Sequence, residues 1–576
     1  MSAVATPVGV SFAPLVERKF GDRAVPEGRP AHDVPTLAVA PEALHDLAVF
    51  LRDDPSTRFD LFVDLAAIDR QKLTGDLAPR DGRRFQASYL LYSTSRNEHL
   101  RVKATVPESD PTLPTLTDVW PAANWFEREA WDLMGLSFRG HPSLKRLLTH
   151  GGFVGHALRK DYEAGQRWLC TEEDILQTDL AAKTDVPEDV FETVTLNFGP
   201  SHPTTHGTLR VVFRVDGETI VAAEGECGYL HRCFEKMSET HTWQQVIPYT
   251  DRLNYCSPMI NGNGYARAVE RMLGVEVPPR ARAVRVVLSE FSRIMDHLVC
   301  IGTNLVDLGA LTNFWYAYQP REEIYSLLEA CCGARLTSSY ARIGGLSQDV
   351  PENFVEWSRS LIPKIRVQID DVNGLITKNR IAVKRMRTGR VSKADAIAWG
   401  FTGPALRASG VGYDVRKDAP YDGYDEVDFD VPVMEDGDNY ARYLVRMEEM
   451  RQSLRIIEQV LAKLPSGPIV TDDYRVALPP KAMVYNEMEG LIYHFKNVFE
   501  GIQVPAGESY SFIEGANGEL GFHLVSDGSG FPYRVKVRPP CFPLFAAYER
   551  IVVGEMISDA VATLGTLNVI AGELDR

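Results

Sequence analysis

From Glu163 to Val190 the sequence EAGQRWLCTEEDILQTDLAAKTDVPEDV holds neither a helical nor a strand period, is rich in acidic residues and is interrupted by a proline. That is the composition of a solvated connection, and a chain with such a break near its first third folds as two bodies. The length of 576 residues agrees, being more than one ordinary core serves. The expected organisation is a first domain over residues 1–165, an acidic linker over 166–190 and a second domain over 191–576.

The two sides of the break differ in pattern. Upstream, PEALHDLAVFLRDDP repeats apolar residues at Leu44, Leu47, Ala48 and Leu51, the spacing of one helical face. RRFQASYLLYS and HLRVKATV are rich in strand formers, and together these predict a small α+β unit ending near Tyr162. Downstream, a strand pair turns at Gly217 and leads into long helical windows at Ala283–Thr312, Glu322–Ala334, Glu352–Met386 and Asn439–Lys463. SKADAIAWG reads as a short helix with Ser392 as N-cap, Asp395 three residues on and Gly400 at its stop. GFHLVSDGSGFPYRVKV reads as a hairpin whose second arm alternates Tyr533, Val535 and Val537 with Arg534 and Lys536.

Charge and cysteine usage narrow the function. With 62 basic and 78 acidic residues the formal charge is −16, which argues against nucleic acid or an anionic lipid surface as the main partner. The N-terminal stretch has no basic start before its weakly apolar part, unlike a signal peptide, so a cytoplasmic address is expected. No run reaches the roughly 18 to 20 apolar residues of a spanning helix. The eight cysteines include no C-x-x-C pair and read as reduced, mostly packed thiols.

The chemistry concentrates after the break. GPSHPTTHG sets His202 and His206 four apart, a spacing that could share a metal on a helix. Here Pro203 and the flanking glycines make a loop, no glutamate follows the first histidine and no nearby cysteine completes a tetrahedral set, so no metal site is expected. His202 is expected to bond locally and shape the loop. His206, next to a glycine at the mouth of a strand, could present a ring nitrogen to a bound molecule near neutral pH. The following stretch, YLHRCFEKMSETHTWQQVIPYTDRLNYCSPM, is dense in tyrosine and arginine and weakly periodic; Tyr249 and Tyr255 could equally be packers, and Arg232 and Arg252 could merely pair with nearby acids.

NFGPSHPTTHGTLRVV, YLHRCFEK, IPYTDRLNYCSPM, ARIGG, FTGPALRASGVGYDVRK, LVSDGSGFPYRVKVRPP and the terminal AGELDR together resemble the D subunit of respiratory complex I, over essentially all of residues 190–576. WFEREAWDLMGLSFRGHPSLKRLLTHGGFVGHALRKDY resembles the signature of the C subunit, so the chain looks like a natural C/D fusion of bacterial NADH:quinone oxidoreductase. The resemblance implies an α+β fold class: a small α+β domain of C-subunit type, then a large, mainly helical domain with small peripheral sheets, similar to the large subunit of nickel–iron hydrogenases. Hydrogenase chemistry is the rival reading, together with a non-catalytic scaffold. A hydrogenase large subunit holds its metals with two C-x-x-C pairs, because nickel and iron there require soft thiolates; this chain has neither, and offers Glu573 and Asp575 in the terminal motif.

On the residues that match the family, the resemblance implies that His206 and Tyr255 bond the two carbonyls of a quinone head group and that Asp307 orients His206. Donors at opposite ends of the ring would stabilise the charge that two-electron reduction builds there. It further implies that Arg232 and Arg252 lie near a terminal [4Fe–4S] cluster held by a neighbouring subunit, whose potential their charge would raise. The chain itself lacks a cysteine constellation for a cluster and a dinucleotide fingerprint. Electrons would come from NADH through FMN and clusters in other subunits, and the implied partners are the cluster-bearing subunit, a ferredoxin-like subunit and a membrane-arm subunit at the quinone tunnel. The implied location is the cytoplasmic side of the bacterial inner membrane, with proton translocation by the whole complex; ubiquinone and menaquinone both remain open. Two departures stand out: Cys233 where the family usually has glycine after L-H-R, and Thr337 where many members have histidine.

Overall fold

In the computed structural model, residues 12–27, 33–163, 165 and 193–576 are described, and the linker expected over 166–190 lies outside them. The fold mixes helix and sheet throughout. Its first part is a five-stranded sheet in the order β1 (Ala24–Pro26), β2 (Thr36–Val39), β5 (Glu98–Val106), β4 (Phe85–Ser93), β3 (Leu61–Asp69). Within that sheet only β2 and β5 run parallel. The predicted helix forms as α1 (Leu44–Asp53) and buries Leu44, Leu47, Ala48 and Leu51, the face its spacing marks. A second helix, α2 (Ala123–Met134), packs on β3 and ends at Gly135 in the left-handed region.

The second part combines long helices with two three-stranded antiparallel sheets that flank them in chain order. One sheet consists of β6 (Val194–Phe198), β7 (Arg210–Asp216) and β8 (Thr219–Glu226), with the expected turn at Gly217. The other consists of β9 (Gly507–Glu514), β10 (Glu519–Ser526) and β11 (Arg534–Arg538). Between them run α3 (Pro258–Leu273), α4 (Pro279–Asp307), α5 (Leu311–Cys332), α6 (Phe354–Ile376) and α7 (Asn439–Ala462). At 1.5 Å per residue, the 29 residues of α4 make a spine about 43 Å long, and most of its side chains are buried among the neighbouring helices.

The helix boundaries depart from the periodicity in two places. The Ala283–Thr312 window stops at Asp307, and α5 starts at Leu311 and continues through Pro320, earlier than the Glu322–Ala334 window. The Glu352–Met386 window is broken after Ile376, where the Asn379 side chain accepts the N–H groups of Ile381 and Ala382 and starts a new helix. Ser392 caps its helix as expected, with its Oγ accepting the Asp395 N–H at 3.1 Å and donating to Asp395 Oδ2 at 2.6 Å. Replacing Ser392 by alanine is expected to lower stability by about 1 kcal/mol in urea titration.

The alternation of β11 has an outcome that its sequence conceals. A hairpin arm of this pattern ordinarily leaves its cations in water, yet Arg534, Lys536 and Arg538 are all buried. They reach across to the first part of the chain: Arg538 Nε donates to Val63 O and Arg534 Nε to Ala67 O, each at 3.2 Å, satisfying carbonyls on the edge strand β3. Lys536 Nζ pairs with Glu129 on α2 at 2.7 Å, and Arg576 pairs with the same carboxylate at 2.9 Å. One apolar cluster runs from Phe12 to Leu574, so the two parts share a core.

Candidate functional site

The loop between β6 and β7 is shaped by its own side chains. Pro203–Thr205 form a single 3₁₀ turn capped by His202, whose Nδ1 accepts the Thr204 N–H at 3.3 Å while its ring lies 4.4 Å from that of Phe198. The local role expected for His202 is thus its observed one. Gly199 has φ +87, and a Cβ there would come 2.3 Å from Leu209 O, so the loop closes only with glycine at that position. His206 follows the turn in the left-handed region, φ 51, with its imidazole exposed.

Asp307, the last residue of α4, meets this loop. Burial raises its carboxyl above the usual carboxylate value, while the Thr204 hydroxyl and the His206 and His202 rings oppose the rise. The Thr204 hydroxyl acts from outside hydrogen-bond geometry, since its oxygen is buried without a bonded partner. Asp307 and His206 thus interact electrostatically, a helix terminus with a strand-entry loop about a hundred residues apart, with no hydrogen bond between the two side chains.

Tyr255 lies elsewhere, in the turn that precedes α3. It occupies a turn held by Asn254, whose side chain accepts the Cys256 N–H at 3.1 Å and whose carbonyl accepts Asn261 Nδ2 at 2.8 Å. Although Tyr255 is 36% exposed, burial of its phenol pushes the group up to about 12, with Cys256, Asp296, Cys541 and Tyr318 adding to the shift. Its surroundings are neutral thiols and one buried carboxylate: burial drives Cys256 and Cys541 well above the ordinary thiol range, and Asp296 is tied to Asn568 at 2.7 Å and to Ser257 at 3.3 Å. Asp296 and Asp307 stand three turns apart on α4, about 16 Å along its axis.

The terminal A-G-E-L-D-R binds the two arginine-bearing segments to each other. A Cβ at Gly572 would come 2.5 Å from Arg252 O and 2.8 Å from Leu253 O, so only glycine admits the D-R-L-N-Y turn. Asp575 accepts the N–H groups of Gly228 at 2.9 Å and Leu230 at 2.7 Å, and its carbonyl meets His231 Nδ1 at 2.6 Å. Glu573 takes the Cys541 N–H at 2.9 Å and is raised by burial to about 7. Glu573 and Asp575 thus act as ties between chain segments, and no group of three potential metal-binding side chains occurs among the described residues.

Arg232 and Arg252 both reach the surface. Arg252 donates to Pro248 O at 2.6 Å and stands 3.9 Å from Asp251, whose carboxylate is engaged by the Ser339 N–H at 2.7 Å. Thr337 is half-buried in that same Ser339 segment, beside Arg252's turn. Cys233 has φ +54, the left-handed region, where an L-residue costs roughly 1 kcal/mol that a glycine would avoid. The cysteine recovers contact by packing on the core. Asp296, Tyr318 and Cys541 were invisible as a group in the sequence, where nothing joins positions so far apart.

Two family models match the chain: "Respiratory-chain NADH dehydrogenase, 49 Kd subunit" over residues 307–576 and "Respiratory-chain NADH dehydrogenase, 30 Kd subunit" over residues 37–167. Among curated proteins, the C/D subunit of the NADH-quinone oxidoreductase of Bdellovibrio bacteriovorus is 50% identical over 543 residues, 94% of this chain and 95% of its own. The C/D subunit of Methylococcus capsulatus is 38% identical over 589 residues, spanning 100% of both chains. The D subunit of the NADH-quinone oxidoreductase of Myxococcus xanthus is 50% identical over 382 residues, 66% of this chain and 92% of its own.

Proposed function

Since the chain belongs to the family of fused C/D subunits of NADH-quinone oxidoreductase, we propose that its larger half supplies the pocket in which the quinone head group is reduced. The observation that carries this reading is that two proton donors from separate loops, His206 and Tyr255, interact electrostatically with carboxylates of one long helix, Asp307 and Asp296 respectively. A quinone takes up two electrons and two protons to become a quinol, and each carbonyl oxygen gains negative charge before it is protonated. Donors at the two ends of the ring stabilise that charge and then yield their protons. Asp307 orients the imidazole by engaging one ring nitrogen, which leaves the other to face the substrate. A phenol pushed up to about 12 stays protonated at neutral pH and gives its proton only to a strongly basic, reduced oxygen.

The electrons enter from a neighbouring subunit that holds a [4Fe–4S] cluster, and the exposed Arg232 and Arg252 face that subunit. The smaller half joins the peripheral arm together and takes no part in the chemistry. A hydrogenase-like large-subunit frame suits this arrangement, with an organic substrate where thiolates would hold metal. No helix among the described residues is long and apolar enough to cross a membrane, and the protein is assigned to the cytoplasmic side of the inner membrane, where the whole complex couples the reaction to proton translocation.

The test is His206→Ala in the assembled enzyme. NADH:quinone turnover should fall about tenfold or more, in line with the loss of a donor from such a site, while NADH oxidation by an artificial acceptor that draws electrons upstream stays at the wild-type rate. Unchanged quinone turnover would refute the assignment.

A further inference from the structure

From Val284 to Leu298 every residue of α4 is buried, and beyond that point one face opens. Val299, Thr303, Val306 and Asp307 are half-buried. Spaced by four, three and one, they fall within an arc of about 100° on a helix. A single stripe therefore runs from one turn past Asp296, which interacts with Tyr255, to Asp307, which interacts with His206. At its Tyr255 end the stripe continues into Cys256, Ile570 and Val569, which pack with Val299 and the buried Cys541 in one apolar cluster. The wall beside the phenol is thiol and aliphatic carbon.

The polar groups of this wall are spent on one another. Thr303 Oγ1 donates to Val299 O at 2.8 Å, so the one hydroxyl of the stripe turns back onto its own helix. Asn568 Nδ2 donates to Asp296 Oδ1 and Asn517 Oδ1, each at 2.7 Å, and Asn517 Nδ2 returns to Asn568 O at 3.1 Å. Ser257 Oγ bonds Asp296 at 3.3 Å, and the Ile570 N–H donates to Cys541 Sγ at 3.4 Å. Asn254 Nδ2 has no partner, but it is closed off from water and thus from a ligand that enters from water. α5 adds aromatic surface: Tyr318, which interacts with both Tyr255 and Cys256, stacks on Phe314 at 3.9 Å. Arg321 lies over the Tyr318 ring at 4.6 Å, with its Nε donating to the Tyr325 hydroxyl at 2.9 Å.

We propose that the head group reduced beside Tyr255 is a naphthoquinone, of the menaquinone type, and not a methoxylated benzoquinone of the ubiquinone type. The inference rests on the quinone pocket proposed above and names its substrate class. A fused benzene ring presents only C–H edges and π-faces, which sulfur, methyl groups and stacked rings meet well. The two methoxy oxygens of the rival ring are acceptors that lose water on entry, and this wall has no free donor to replace it. The carbonyls bonded by His206 and Tyr255 are common to both rings, so the choice falls to the wall. An apolar wall rejects a ring of similar size with an added polar group by on the order of tenfold to a hundredfold.

The experiment uses the complete enzyme with two quinones that carry the same decyl tail, a methyl-naphthoquinone and a dimethoxy-methyl-benzoquinone. KM is the quantity read, because the two rings differ in potential and that difference acts on kcat. The KM for the naphthoquinone should be lower by about tenfold or more. Cys256→Ser exchanges the sulfur for a hydroxyl donor in nearly the same volume, and Val569→Ser places a donor elsewhere on the same wall. Each should narrow the ratio of the two KM values about threefold or more. Equal KM values, a lower KM for the methoxylated ring, or a ratio that both variants leave unchanged overturns the proposal. The pocket itself is read apart from this: lowered turnover in His206→Ala together with equal wild-type KM values rejects the naphthoquinone inference alone, whereas normal turnover in His206→Ala rejects the pocket.

Discussion

Replacing Tyr255 by phenylalanine is expected to lower NADH:quinone turnover by roughly a hundredfold, the scale of losing one positioned donor. The ring remains, so packing against the Gly572 turn is retained and KM changes little; the loss falls on kcat, because the phenol acts most strongly on the charged, reduced oxygen. The pH dependence separates this from a packing defect. With the wild-type phenol pushed up to about 12, it remains a proton donor across roughly pH 6 to 9 and adds no break to the profile there. In the variant the second proton must come from solvent, so its residual rate should fall as pH rises through that range. Turnover within twofold of wild type, or a parallel pH profile, would remove Tyr255 from the chemistry.

Local signals in the sequence carried much of this architecture and little of what surrounds the candidate site. The Ser392 cap, the Gly217 turn, the α1 face and the role of His202 each depend on residues within two turns of one another, and each appears as read. The Glu352–Met386 window failed because apolar periodicity continues through Asn379, whose side chain competes for the backbone N–H groups that would extend the helix. Arg534, Lys536 and Arg538 look like the wet side of a hairpin because their partners, Glu129 and the carbonyls of Val63 and Ala67, come from the first part of the chain. The surroundings of Tyr255 were hidden for the same reason: Asp296, Tyr318 and Cys541 lie on three different helices. Asp307 came from family resemblance alone, and its meeting with the His206 loop is a matter of tertiary structure.

The largest loss of stability is expected at a site far less visible than the pocket. Arg407 is fully buried among three carboxylates, 2.7 Å from Glu449, 2.9 Å from Glu514 and 3.6 Å from Asp414. Arg416 spans Asp414 at 2.7 Å and Glu290 at 3.1 Å, and Glu290 also takes the Tyr424 and Ser453 hydroxyls, each at 2.6 Å. Burial alone would raise all of these carboxyls. Arg407 and His297 instead hold Glu449 well below the usual range, and Arg416 and Arg407 hold Asp414 at about 2, while burial leaves Glu514 at about 7. Arg407→Met keeps much of the volume and removes the charge, stranding Glu449 and Asp414 as under-compensated anions, at a cost on the order of 3 to 5 kcal/mol in urea titration. The sign with pH follows. In the wild type the depressed carboxylates contribute stability that is full above their unfolded pKa near 4 and is lost as pH falls toward about 2. In the variant their folded pKa values rise above the unfolded ones, so protonation relieves the penalty and the gap to wild type should narrow between about pH 7 and 5. A gap below about 1 kcal/mol, or one that is constant across that interval, would show that the cluster does not depend on Arg407 for its charge balance.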